Sequence, residues 1–376
     1  MTLTVLARTP GYARRGMLEP LEASAVLRDT DVGTWAMTVL ADSPAARAFT
    51  SGWGVQVFED GVYRFSGPAT EISYEDGPDG PTLELSGLTD DYVLADRLVF
   101  PNPAQQSSGQ TEGYYKVASG VAETIIAGLI NSQAGPGALP IRRTAGLKTY
   151  VSASRGSTSS VNARFSVLLD EVRTIAQTSG LVVGVRHEGL APELTVNVAV
   201  RADRSKAVRF RPGFGVSKVR ASFVAPTANV VLVAGGGQGA DRMIREHADV
   251  RPEWGGRRVE LFQDRRDTTE AAELEKAGKE TLQEGRGTAR ATFEVSGEQY
   301  RFGTHYQLGD RVSLEAGAYR VSEPVRVVEL SWDEYGRGWE RVTVGDPLAE
   351  AEETTPEIYQ KVQRLERALR ELSARQ

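Results

Sequence analysis

The chain has 376 residues with 44 basic and 50 acidic side chains, a formal charge of −6. This acidic balance lacks the cationic footprint of a sequence-specific nucleic-acid reader. The absence of cysteine excludes disulfides, thiolate metal sites and a cysteine nucleophile together.

The length suits two to three domains. No apolar run approaches the ~18–20 residues of a membrane span, and MTLTVLARTPGYARRG lacks the apolar core of a signal peptide. Synthesis and retention in the cytoplasm are therefore expected, with release only inside a larger particle.

Residues 1–100 read as β-rich. Ala25–Arg28 and Trp35–Leu40 are strand-like, and SPAARAF from Ser43 to Phe49 reads as a helical turn. Gly54–Phe58 and Val62–Phe65 flank Asp60-Gly61, a hairpin signal because both turn positions must tolerate positive φ. Ala69–Tyr74 reads as a third strand, and the turn-dense EDGPDGP links it to Leu83–Leu88. Strands at this spacing point to a small antiparallel barrel or sandwich.

Composition changes across residues 101–205, which read as an α+β domain. Val117–Asn131 carries Val117, Val121, Ile125, Ile126 and Leu129 at helical spacing and stops at Gly135-Pro136-Gly137. A stronger stripe follows in Phe165, Leu168, Leu169, Val172, Ile175 and Ala176, ended by Ser179-Gly180. Leu181–Val185 and Leu194–Val200 then read as strands.

Residues 206–236 and 286–347 read again as β segments, with the charged stretch 237–285 inserted between them. The insertion's helix is expected to start on a capping box of Asp267 and Glu270 and to run to Gln283. In the hairpin Val325–Trp332 and Trp339–Val344, Val328, Leu330 and Trp332 share one face while Glu329, Ser331 and Asp333 take the other. On its second strand Val342 and Val344 oppose Arg341 and Thr343.

Residues 348–376 open on an acidic linker. In the segment that follows, Ile358, Val362, Leu365, Leu369 and Leu372 recur with spacings 4, 3, 4 and 3, a heptad seam. Two heptads are marginal in isolation, so the helix needs partners. Self-association and packing back on its own domain both satisfy that need, and the seam does not choose between dimer and trimer.

Chemistry-bearing patterns are few. Gly235, Gly237 and Ala240 after a strand, with Glu260 downstream, match a dinucleotide fingerprint. Arg251-Pro252 and the lack of further βαβ units oppose that reading, and a glycine-rich turn explains the same residues. His187, His247 and His305 are isolated. Asp29-x-Asp31 and Glu75-Asp76…Asp79 are acidic turns that do not fit a calcium loop. No catalytic residue, metal or cofactor is nominated.

Gly61–Gly67 (GVYRFSG), Leu94–Pro103 with Arg97 and Pro101, the Leu168–Gly180 helix, QLGDRVSL and RVTVGDP occur here in an order that resembles the tail-hub (baseplate hub or tail-tip) proteins of long-tailed phages. The resemblance is to the siphophage hub-like family of actinobacterial phages and prophages. It implies two small antiparallel β-barrels per chain flanking the α+β domain, the first over residues 1–100 and the second from residues 206–236 joined to 286–347 with 237–285 as a helical insertion. It also implies a homotrimer forming a ring of pseudo-sixfold symmetry that lets DNA pass. Implied neighbours are a distal tail protein and tail tube above, and a central fibre, spike or tape-measure protein. The implied place is the virion tail tip. Relatives that carry a cell-wall hydrolase further along supply the alternative function; the dinucleotide enzyme is the other.

Overall fold

The protein is described by a computed structural model that covers residues 2–345 apart from 79, 251–252, 297–298 and 337. The heptad seam Ile358–Leu372 lies outside the described residues. The described residues divide into two compact units, residues 2–219 with 292–344, and residues 220–291 with 345.

The first unit opens with β1 (Leu3–Arg8), β2 (Arg14–Leu18), β3 (Pro20–Arg28) and β4 (Thr34–Leu40). Helix α1 (Pro44–Ala48) is the expected short turn, started by the Ser43 hydroxyl accepting from Ala46 N and by a proline at its first position. Strands β5 (Gly54–Glu59), β6 (Val62–Gly77) and β7 (Gly80–Leu88) follow, then the short α2 (Tyr92–Ala95). Asp60 and Gly61 take φ of 50° and 76°, the geometry the hairpin requires. The separate strand expected at Ala69–Tyr74 is the continuation of β6, which pairs first with β5 and then with β7 across a register shift near Ala69.

In the α+β block, β8 (Tyr115–Val121) precedes α3 (Ala122–Gln133), and β9 (Thr158–Ala163) precedes α4 (Leu168–Thr178). The helix expected from Val117 starts only at Ala122, because Val117–Val121 pairs with β9. Leu168, Leu169, Val172, Ile175 and Ala176 are all buried, as the stripe requires, while Phe165 precedes the helix in a left-handed conformation. Strands β10 (Leu181–Arg186) and β11 (Thr195–Val200) form an antiparallel pair.

Strands β12 (Arg209–Phe210) and β13 (Val216–Val224) lead toward the second unit. There β14 (Val230–Ala234), β15 (Ile244–Ala248) and β16 (Glu260–Asp264) make a three-stranded sheet in the order β15-β14-β16, covered by α5 (Ala271–Gly285). Val231, Val233, Leu274 and Ala277 are its core. β14, expected in a barrel, therefore belongs to this sheet, and the insertion carries two strands, β15 and β16, beside its helix. The capping box does not form: Asp267 is held by Arg265, and Glu270 makes no side-chain cap.

The chain closes with β17 (Thr288–Val295), β18 (Arg311–Ala316), β19 (Tyr319–Asp333) and β20 (Gly338–Gly345). The two β blocks do not stand as separate closed barrels among the described residues. β19 pairs antiparallel with β20 on one side and with β3 on the other, so strands from both ends of the chain share one path, β13-β17-β20-β19-β3-β4-β7-β6-β5-β1-β2. Among the described residues strand accounts for 46% and helix for 17%, so the β-rich reading holds.

Candidate functional site

The middle of this sheet obeys strict alternation. On the inner face, Trp332, Ala23, Met37, Leu85 and Ile72 lie in cross-strand register over β19, β3, β4, β7 and β6. The first four of these are buried. Next to this row, the Trp35 ring lies over Gly87, where an added Cβ would come within 2.6 Å of it, so only glycine fits.

The outer face carries the opposite chemistry in two rows. One runs Trp339, Ser331, Ser24, Ala36, Ser86 and Glu71; the other runs Asp333, Glu22, Thr38, Glu84 and Ser73. Together with Glu334 and Tyr335 they line a concave groove of about 920 Å³. Five carboxylates (Glu22, Glu71, Glu84, Asp333 and Glu334) line this groove, and among the described residues that line it none is a lysine or arginine. Farther along this face Arg341 bridges Glu329 (3.1 Å) and Glu294 (3.2 Å), and Lys218 pairs with Glu294 (3.0 Å). Sequence alternation gives the Ser331 and Asp333 part of this face. The register with β3, β4 and β7, which makes it a groove, is set by pairing between distant strands.

Behind the sheet, buried polar groups fasten the blocks of the first unit together. Arg8 makes a two-pronged ion pair with Asp90, which also accepts from the Ser66 hydroxyl at 2.6 Å. Ser66 in turn accepts from His187 N (2.9 Å), and Gln56 donates to the His187 carbonyl (2.6 Å), tying β5 and β6 to the α+β block. Arg64 donates to Glu59 and to the Phe302 carbonyl, and Trp332 Nε1 donates to Glu59 (2.9 Å). Asp310 accepts from Arg204 (2.7 Å) and Ala202 N (3.2 Å). Arg64 and Ser66 belong to GVYRFSG and Asp310 to QLGDRVSL, so residues that carry the resemblance sit at joints. Charged groups this deep hold their geometry because breaking one partner strands the other.

Asp29 and Asp31 correct a sequence reading. Instead of a solvated turn, Asp29 is 5% exposed and ion-paired to Arg201 and Arg326, and Asp31 to Arg173. Asp91 accepts from Val185 N (2.8 Å) and the Thr89 hydroxyl (2.9 Å), beside an internal cavity of about 240 Å³. Burial outweighs these hydrogen bonds and pushes its pKa up to about 7. Burial also raises Glu340, which accepts from Phe302 N (3.1 Å) and the Tyr306 hydroxyl (2.9 Å). His187 is shifted down by burial and makes a T-shaped contact with Tyr12. These groups are each committed to a structural partner.

The glycine-rich turn does not form a dinucleotide cradle. Gly235 and Gly236 pack against Thr268, Thr269 and Leu274, and the chain after Gly237 passes through a single 3-10 turn into β15, antiparallel to β14. A fingerprint needs those glycines to open a helix whose N-terminus faces the phosphates.

A model of the Siphovirus ReqiPepy6 Gp37-like protein family matches residues 5–346. The fold is that of prophage tail proteins. The 43 kDa tail protein of prophage MuSo2 from Shewanella oneidensis superposes with a TM-score of 0.59 at 13% identity, covering 91% of this chain and 98% of that one. A tail protein from Neisseria meningitidis MC58 gives 0.56 at 15% identity over 92% and 97% of the two chains. The prophage tail protein gp18 from Listeria monocytogenes EGD-e gives 0.55 at 10% over 98% and 99%. The chain belongs to the Siphovirus ReqiPepy6 Gp37-like family. No curated protein matches it.

Proposed function

We propose that the chain is a structural hub of a phage tail tip or baseplate, three copies forming a pseudo-sixfold ring that joins the tail tube to a central fibre or spike. The observation that carries this reading is the polar groove face, in which two cross-strand rows present carboxylates and hydroxyls, with no lysine or arginine among the described residues that line it. A wall of this kind repels and does not grip a polyanion, which is what a passage for DNA requires.

On this reading the two β blocks, residues 1–100 and the strands after 206, each supply one segment of the ring, and the α+β block braces them. The ring is assembled in the host cytoplasm and works at the virion's tail tip, beneath a distal tail protein and the tail tube. Its role is mechanical. The seam Ile358, Val362, Leu365, Leu369 and Leu372 gathers the three C-termini under the ring.

Light scattering combined with negative-stain imaging tests the reading. A trimer with a central opening supports it, whereas a stable monomer at high micromolar concentration, in protein and in disrupted particles alike, overturns it. Leu365→Asp is expected to weaken assembly while the melting temperature of the remaining structure stays unchanged. Global unfolding of that variant would show the seam to be part of a core.

A further inference from the structure

One cluster in the first unit has charges with no counterpart. The Arg142 guanidinium stacks over Phe100 at 3.6 Å, Phe100 meets Phe165 edge-on at 5.6 Å, and Arg164 lies 5.1 Å over Phe165. Arg97 joins them through a hydrogen bond to the Arg142 carbonyl (3.0 Å). Arg97, Arg142 and Arg164 donate only to carbonyls and to the Gln133 amide oxygen; among the described residues none makes an ion pair. Most other arginines here that make side-chain contacts are paired with a carboxylate, including Arg8, Arg64, Arg155, Arg201 and Arg326.

The cluster is also open and strained. Phe165 is 39% exposed at a φ of 52°, a conformation costly for an aromatic residue, and neighbouring Ile141 is 88% exposed. Burial, and to a lesser degree the nearby Arg97, lower the Arg142 pKa.

The β6–β7 hairpin offers the complement. Its tip carries Tyr74, 64% exposed, followed by exposed Glu75 and Asp76, and among the described residues neither carboxylate meets a cation. Among the described residues no hydrogen bond or ion pair joins patch and hairpin within one chain. An aromatic flanked by carboxylates fits an aromatic flanked by guanidinium groups through stacking and charge-assisted hydrogen bonds. Different surfaces meeting head-to-tail generate a ring when the rotation closes.

We propose that the Tyr74–Asp76 hairpin tip of one copy seats on the Arg142–Phe100–Phe165–Arg164 patch of the next copy. The proposal rests on the ring reading and names its contact.

The absence of cysteine allows a direct test. Asp76→Cys combined with Ile141→Cys, oxidised at high micromolar concentration, is expected to give a cross-linked ladder ending at the trimer. Asp76→Cys with Leu190→Cys, another exposed site, is the control and should not. Arg164→Glu is expected to weaken self-association by about tenfold, and adding Glu75→Arg and Asp76→Arg to the same chain should restore it. Circular dichroism confirms that each variant is folded. A trimer that forms without the ladder and ignores the charge reversals overturns this contact and leaves the ring standing. Monomers throughout, with no ladder, overturn both. DNA retention lost in Arg164→Glu with assembly intact would make the patch a phosphate surface and also overturn the proposal.

Discussion

The wide sheet of the first unit and the small three-stranded sheet of the second follow one alternation rule and dress their open faces differently. In the second unit, α5 covers one face of the small sheet over Val231 and Val233. Its other face leaves Ile244 and Phe262 54% and 56% exposed, with Arg242 stacked over Phe262 and Arg258 bridging Glu246 and Glu260. The wide sheet of the first unit places serine, threonine and glutamate on its open face over several strands. Apolar groups on an open face need nearby charge to stay soluble. A hydroxyl-and-carboxylate face stays wet unaided and has little for a polyanion to hold. Backbone pairing is common to both sheets, so the difference in behaviour lies in the side chains at every second position.

The comparison breaks most visibly at the face boundary. Trp332→Ala, on the inner face, is expected to cost about 3–5 kcal/mol in urea denaturation, whereas Ser331→Ala, one residue away on the groove, should stay within about 0.5 kcal/mol. Equal effects would mean that the groove face is buried in the working protein. Asp90→Ala should cost about 3 kcal/mol, because it leaves the Arg8 guanidinium buried without its anion. A loss much smaller than this would show that the joints between blocks are hydrated.

Asp91 tests the same joint through pH. Its pKa is raised to about 7 from an ordinary 3.8, so the unfolded chain releases this proton first as pH rises. The group's contribution to stability is complete below about pH 4 and is lost progressively up to about pH 7. Asp91→Asn should flatten that part of the stability profile and raise stability at pH 8 by about 2 kcal/mol. An unchanged profile in chemical denaturation would show the carboxylate to be solvated. The smallest effect on stability is expected from Glu84→Lys in the groove, within about 0.5 kcal/mol. Its readout is function: the variant should gain salt-dependent retention of DNA that the unaltered face lacks. If Glu84→Lys with Glu22→Lys retains no DNA, the channel-wall assignment of this face fails.

Part of the architecture was legible from local chemistry. Asp60-Gly61 announced its hairpin because few residues accept positive φ, and the Leu168–Ala176 stripe announced α4 because its apolar spacing matches one helical face. Periodicity misled at Val117–Val121, where apolar residues at helical spacing pair as a strand with Thr158–Val161, a partner invisible from within the segment. The capping residues at Asp267 and Glu270 misled for a related reason. A neighbouring arginine takes the aspartate before the helix can use it. The arginine–phenylalanine patch was foreshadowed only by Arg97 in the Leu94–Pro103 motif, since Arg142, Arg164 and Phe165 come from separate segments.

Sequence by itself determined which side chains of each strand face inward and where the chain turns. Those properties follow from backbone geometry and residue type over a few positions. Tertiary structure alone decided that β3 pairs with β19, that the groove rows line up across five strands, that Asp29 is buried between two arginines, and that Asp91 holds its proton near neutrality. Each of these depends on groups brought together from distant parts of the chain, and such contacts are selected by the free energy of the whole packed unit and leave no local period to read.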